Sequence, residues 1–364
     1  MSTKYTLFLP KEYTFRFNKT LTLESGEDLV NPLLAYQTWG KLNESRSNVV
    51  WVCHALTGNH LVHEWWAGLF GAGKFFDPKD YFIVAVNVFG SCYGSTGPLC
   101  FQADNKRYYR EFPLVTIRDM VQGLEAVRQE LNLAKIKVLI GASVGGQQAL
   151  EWAYQSPELF ETIIPIATNA EHSPFGKAFN ESQRLAIEAD ETFFRDEFNG
   201  GRKGLIAARS IGMLSYRTYE GYRLTQSETN ENQLDNFRSP SYQRYQGEKL
   251  ANRFNAYSYW YLSKAMDSHN LGRGRGGLAA CLEKIAVPAL VIGIDSDLLF
   301  PLREQEFLVD HLPNAELAVL SSDFGHDGFL VEFEALENHI KVFLEKQLLQ
   351  KKILNNETVS IEIG

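Results

Sequence analysis

Cysteine is scarce in this chain: four residues, at positions 53, 92, 100 and 281 of 364, with no C-x-x-C pair. That spacing excludes a zinc ribbon or a thioredoxin-like redox site, and a chain of this length needs no disulfide framework. Long apolar runs are missing as well. No stretch approaches about 18 consecutive apolar residues, so no membrane span is expected. Residues 1–11 hold two lysines and no apolar run, so no secretory leader is expected. Positive charge is in deficit: 36 lysines and arginines against 44 aspartates and glutamates leave a net charge of −8. A general nucleic-acid binder needs a basic surface and is excluded on that ground; a local basic pocket for a phosphorylated ligand is not. His54, His60, His63 and Glu64 lie near one another without the H-E-x-x-H spacing, and no metal is expected. With 45% hydrophobic and 22% charged residues, the composition is that of an ordinary soluble globular protein; with neither leader nor membrane span expected, a cytoplasmic protein is expected.

What is present is a rhythm of short apolar runs. Strands are predicted at 13–17, 33–39, 49–53, 81–86, 136–140, 162–167, 289–294 and 315–320. Helices are predicted at 116–131, with Thr116 as N-cap, and at 147–155, 303–309 and 331–347. Buried strands alternating with helices indicate an α/β fold, a mostly parallel sheet covered on both faces. Residues 170–284 break the rhythm. They carry no strand-like run, and aromatic and charged residues recur at helical spacing. The chain therefore divides into a core of residues 1–169 and 285–364 and a helical lid of residues 170–284. The Gly-Arg repeat at 272–277 is read as a mobile lid loop that could touch phosphate, and the tail after Lys351 as loose or an edge extension.

The strongest local signal is VLIGASVGGQQAL at 138–150, which places G-x-S-x-G at Gly141, Ser143 and Gly145 between an apolar strand and a helix-forming run. A serine lifted above a sheet sits on a tight strand-to-helix turn, where glycines on either side avoid collision, and the following helix aims its positive end at developing negative charge. The pattern is that expected of the nucleophile elbow of the α/β-hydrolase fold; the alternatives are an ordinary glycine-rich strand-to-helix turn or a phosphate-binding loop, the latter without the G-K-[ST] ending of a P-loop. A serine needs a base to take its proton, and in this fold the acid and then the histidine follow later in the chain. His326, in the glycine-flanked loop SDFGHDGF at 322–329 between the last strand and last helix, stands where the base belongs. GIDSDLLFP at 293–301 offers Asp295 and Asp297; Asp297 lies farther past the strand end and is preferred. The oxyanion hole needs two backbone N–H groups. Val144, directly after the nucleophile, supplies one, and Leu56, after the 49–53 strand, is the candidate for the other.

These segments, with CHALTG at 53–58, NVFGSCYGSTGP at 87–98, QALEW at 148–152, SDLLFP at 296–301 and GHDGFL at 325–330, resemble the homoserine O-acyltransferase family, the homoserine O-acetyltransferases of methionine biosynthesis, from about residue 33 to 344. The 87–98 segment is the most discriminating, being long and seldom seen in esterases or lipases. The chain departs from the family's usual Gly-Gly-Ser-Met-Gly-Gly elbow at Ala142 and Val144, and neither change removes a reacting group. The resemblance implies a Ser143–His326–Asp297 triad and transfer of acetyl from acetyl-CoA, a co-substrate, to L-homoserine, with no cofactor. It implies Arg209 and Tyr216 as a homoserine-binding pair, Asp327 as the acid that binds the amine, and a homodimer formed through lid helices. A succinyl donor or serine acceptor on the same scaffold, and a plain esterase, are the alternatives.

Overall fold

The computed structural model describes residues 9–362, so most of the segment read for a leader, residues 1–8, lies outside the described residues. The strands are β1 (Lys11–Arg16), β2 (Leu21–Thr22), β3 (Asp28–Leu29), β4 (Leu33–Trp39), β5 (Val49–Cys53), β6 (Phe82–Val86), β7 (Val138–Ala142), β8 (Ile163–Ile166), β9 (Ala289–Ile294) and β10 (Ala315–Leu320). β2 and β3 pair with each other, and the remaining eight form one sheet in the order β1-β4-β6-β5-β7-β8-β9-β10. Pairing is parallel from β6 to β10 and antiparallel at β4 and β1.

Every residue of β5, β7, β8 and β9 is buried, as expected of strands covered on both faces. Side chains alternate between two cores because successive Cβ atoms point to opposite faces. Val49, Trp51 and Cys53 of β5 pack on one side with α2 (Ile117–Glu130) and α3 (Val144–Gln155). Val50 and Val52 face the other side, with Trp66 just after the short α1 (Val62–Trp65) and with Leu336, Ile340 and Phe343 of the final helix, Phe333–Glu362. Each fully buried side chain of this kind contributes about 1.5–3 kcal/mol through burial. Thr116 caps α2 in a capping box with Asp119, whose other oxygen accepts from the Glu24 amide at 2.8 Å and ties the β2–β3 hairpin to the core.

Between β8 and β9 come α4 (Pro174–Glu188), α5 (Arg202–Tyr216), α6 (Tyr219–Gln226), α7 (Arg238–Ala251), α8 (Ala256–Asp267) and the short α9 (Leu278–Leu282). Arg184 of α4 pairs with Asp267 at 2.6 Å and clamps α4 to α8, and Ser173, Thr218 and Asn255 cap α4, α6 and α8. α10 (Leu302–His311) separates β9 from β10, and the final helix is α11.

Two expectations are corrected. The 272–277 loop is anchored rather than mobile: Arg273 meets Glu24 at 2.8 Å, and Arg275 grips the buried Glu151 at 2.6 and 2.9 Å. Both guanidiniums thereby satisfy carboxylates and offer no phosphate site. The tail after Lys351 is neither loose nor a strand, because α11 continues to Glu362. No glycine or proline interrupts that stretch before Gly364. Among the described residues, no helix is long and apolar enough to cross a membrane.

Candidate active site

β7 ends at Ala142, and α3 begins at Val144, three residues earlier than its sequence pattern suggests. Ser143 is the whole turn. Its backbone sits at φ 58°, ψ −124°, a region that costs a non-glycine residue about 1–3 kcal/mol. The surroundings hold it there: its N–H donates to Ile166 O at 2.9 Å, and its carbonyl accepts from Gly146 N, Gln147 N and Thr168 Oγ1 at 2.9, 3.1 and 2.8 Å. The flanking glycines are required by close backbone approach. A Cβ on Gly141 would lie 2.3 Å from Gly145 O, and one on Gly145 would lie 2.2 Å from Cys53 O.

Asp297 follows β9 and is buried. Its Oδ1 accepts from the Leu299 and Phe300 amides at 2.8 and 2.9 Å, and its Oδ2 stands 2.6 Å from His326 Nδ1. Asp295 is exposed and accepts instead from Ser322 N at 3.2 Å, so the structure pairs the histidine with Asp297. His326 lies in the turn 325–330, whose entry needs Gly325 at φ 62°. Phe300 stacks on the imidazole at 5.0 Å, and Phe329 meets it edge-on at 5.5 Å. Burial alone would lower the imidazole pKa. The charge and hydrogen bond of Asp297, with a further contribution from Asp327, outweigh it and hold the pKa above its ordinary value.

Ser143, His326, Leu56, Arg209, Tyr216 and Asp327 all line one cavity of about 70 Å³. Six sequence-derived candidates from four separated segments thus converge, Asp297 reaches the cavity through His326, and Val144 adjoins it as the first residue of α3. The Val144 N–H has no acceptor within its helix. The loop bearing Leu56 is set by His54, which is buried and held neutral, its pKa pushed down to about 4 chiefly by burial. Its Nε2 accepts from Val88 N at 3.2 Å, its Nδ1 faces Ala55 O at 2.9 Å, and Gly58 N closes the turn onto Ala55 O at 2.9 Å. His60 faces Glu12 at 3.5 Å, and His63 faces Gln37 at 3.0 Å. These imidazoles are therefore directed to separate partners.

In the same cavity, the Arg209 guanidinium lies 5.1 Å from the Tyr216 ring, and its Nε is buried with no hydrogen-bond partner among the described residues. Asp327 has a partner the sequence did not reveal: Arg217, just past α5, brings its Nε within 3.0 Å. Nothing in sequence distinguishes that arginine from a solvated helix end. A second group, Glu304, likewise carries no sequence signal. In the first turn of α10, it reads as an ordinary acidic helix start. It is instead a partly buried carboxyl near Asp297, its pKa pushed up to about 7, mainly by burial, and it accepts from Asn169 Nδ2 at 2.8 Å. Asn169 in turn accepts from the buried Gln147 at 3.0 Å, so a polar chain runs from α3 to α10 behind the acid.

A parallel-rich sheet, a strained serine between β7 and α3, and an Asp–His pair whose imidazole lines the same cavity are the features of the α/β-hydrolase class. The sequence pattern of the alpha/beta hydrolase fold matches residues 48–333. Comparison with named proteins narrows the class. A homoserine O-acetyltransferase of Cyclobacterium marinum is 50% identical over 330 residues, covering 90% of this chain and 94% of its own. The crystal structure of homoserine O-acetyltransferase from Staphylococcus aureus superposes with a TM-score of 0.77 at 30% identity, covering 92% of this chain and 95% of that one. Esterase E22 superposes at 0.84 with 22% identity, covering 92% and 100%, a likeness of fold alone. The chain belongs to the homoserine O-acetyltransferase family.

Proposed function

We propose that this enzyme moves an acetyl group from acetyl-CoA to the γ-hydroxyl of L-homoserine through a covalent intermediate on Ser143, a step of methionine biosynthesis. His326 takes the Ser143 proton while Asp297 fixes the imidazole and stabilises its cation. Ser143 Oγ bonds to the thioester carbon, and the amides of Val144 and Leu56 hold the oxyanion. The C–S bond then breaks, and the proton passes from His326 to the departing sulfur. Homoserine binds with its carboxylate on Arg209 and Tyr216 and its ammonium on Asp327. His326 takes the γ-hydroxyl proton, the new ester forms, and the proton returns to Ser143 as its bond to the acetyl group breaks.

The carrying observation is the buried, unpartnered Nε of Arg209 in the same cavity as Ser143, His326 and the carboxylate of Asp327. An amino acid brings one carboxylate and one ammonium, and a guanidinium can hold a carboxylate through two parallel bonds. The acetyl donor is favoured over succinyl because Arg209 is the one lysine or arginine among the cavity's described lining residues, which leaves a second carboxylate unmatched. The cavity is far below the roughly 300–1,000 Å³ of ordinary ligand sites, so the helices that carry Arg209, Tyr216 and Met266 act as a lid that withdraws for entry and excludes water during transfer. The catalysis is the chain's own, with no resident cofactor. The protein works in the cytoplasm, where its donor and acceptor are metabolites. It pairs as a homodimer over exposed Leu214, Tyr219, Leu224 and Tyr245 of the lid helices.

Rapid mixing with acetyl-CoA alone tests the route. A burst of free CoA with a mass gain of one acetyl group on Ser143 is expected, and turnover without any such intermediate would reject it.

A further inference from the structure

Apart from the Val88 N–H that holds His54, no residue of the 87–98 segment touches the site above, and none lines the cavity of Ser143, yet the segment is tightly built. Gly94 sits at φ +88° with Ala35 Cβ only 3.0 Å from where its own Cβ would stand, and a Cβ on Gly97 would lie 2.6 Å from Ser91 O. Ser95 Oγ accepts from Ala35 N at 3.0 Å and donates to the Asn87 carbonyl, while Thr96 Oγ1 accepts from Leu33 N at 2.9 Å. This rigid loop is one wall of a cavity of about 480 Å³. The opposite wall is the junction between α7 and α8.

The charges lining that cavity are Arg107 and Arg253, with no carboxylate beside them. Four other cavities of the described residues each include at least one aspartate or glutamate. In a protein of net charge −8, two arginines without an acidic partner among the described residues call for an explanation. Neither is loose. Arg107 donates to Leu99 O and stacks over Phe101 at 4.2 Å, and Arg253 donates to Thr57 O and Tyr93 Oη, both at 2.7 Å. Each holds its guanidinium in place with only some of its N–H groups and leaves others for a ligand. Arg253 also joins this cavity to the reaction centre, because Thr57 lines the cavity of Ser143. Phe198 and Phe254 add ring surface, and Asn252 and Asn255 add amides.

We propose that this cavity is the docking site for the phosphorylated nucleotide end of the acyl-CoA donor, with Arg107 and Arg253 as its phosphate ligands. A guanidinium fork matches phosphate oxygens in pairs, and the site lies where the lid meets the core, beside the serine that receives the acyl group. The proposal rests on the acyl-CoA reading of the function and adds the place where that donor is held.

Calorimetric titration of the full-length protein with CoA, adenosine 3′,5′-bisphosphate and inorganic phosphate provides the test. Arg107→Gln should weaken CoA and the bisphosphate by about tenfold or more, the scale of one charge-assisted hydrogen bond. Inorganic phosphate alone should bind far more weakly than CoA. In turnover, Arg107→Gln should lower the ratio of kcat/KM for acetyl-CoA to that for S-acetyl-N-acetylcysteamine, a donor without phosphate. Arg107→Lys, which keeps the charge, should fall between wild type and Arg107→Gln, and it also separates charge loss from misfolding. Unchanged CoA affinity in both Arg107→Gln and Arg253→Gln would overturn the assignment, as would equal losses for the two donors. CoA binding that depends on Arg107 in a protein unable to acetylate homoserine would leave this site standing and reject the acceptor. A wild-type protein that does not bind CoA would end both readings.

Discussion

Replacing Asp297 with asparagine probes the centre of the mechanism with almost no change of shape. The carboxylate accepts three hydrogen bonds: two from the Leu299 and Phe300 amides on Oδ1 and one from His326 on Oδ2. An asparagine must choose an orientation. With its carbonyl toward the two amides, both bonds survive and its NH₂ faces His326. The reverse orientation sets a donor against two donors to save one bond. The first therefore prevails. It forces the imidazole to accept at Nδ1 and carry its proton on Nε2, so Ser143 faces a donor rather than a base. The expected loss in kcat is about 10⁴-fold, or about 5 kcal/mol of barrier. The assay is the burst of CoA on mixing with acetyl-CoA, with circular dichroism and melting to show an intact fold. Asp295→Asn is the control. That residue is exposed and outside the His326 pair, so its rate should stay within a few-fold of wild type. Asp297→Asn retaining a burst within tenfold of wild type, or Asp295→Asn failing as badly, would refute the reasoning.

Because His326 must be neutral to act as base and its pKa is raised, acylation should reach half its maximum above pH 6.5, the ordinary imidazole value. Asp327→Asn should move that limb to lower pH in the homoserine-free burst. The same shift means that the protonated imidazole adds stability below its unfolded pKa, and this fades as pH rises through the folded value. Arg209→Lys should raise the KM for homoserine by about 10–100-fold, as one of a pair of charged hydrogen bonds is lost, and leave the burst unchanged. Gly145→Ala should lower the melting temperature and the yield of active enzyme, because its Cβ would drive into Cys53 O at 2.2 Å, at a cost of about 1–3 kcal/mol or more.

Much of the architecture is legible in the sequence because the signals are local. β4, β5, β9 and β10 occupy the residues their apolar runs predict, and Thr116 caps α2 as its position suggests. Errors gather where a three-dimensional constraint sets the boundary. α3 begins at Val144 because the elbow allows one residue between strand and helix, while Gly145 and Gly146 mask the helix start from propensity. Ser143, Asp297 and His326 are visible through motif context and chain order. Arg217 and Glu304 are not, since their significance lies in what packs against them: Asp327 in one case and the rear of Asp297 in the other. The 272–277 loop is anchored for a reason equally hidden in sequence. Glycines and arginines look mobile until Glu24 and Glu151, more than a hundred residues away, are seen to hold them.

One helix, α5, carries Arg209 and Tyr216 toward its end, with Arg217 immediately beyond, whereas Ser143, Asp297 and His326 stand just past the ends of strands β7, β9 and β10. On the proposed reading, most of the acceptor's contacts are thus written on a stretch of polypeptide apart from the triad, Asp327 beside His326 being the exception. If that reading holds, substitutions along the 15 residues of α5 should redraw which alcohol is admitted while Ser143, His326 and Asp297 stay in place.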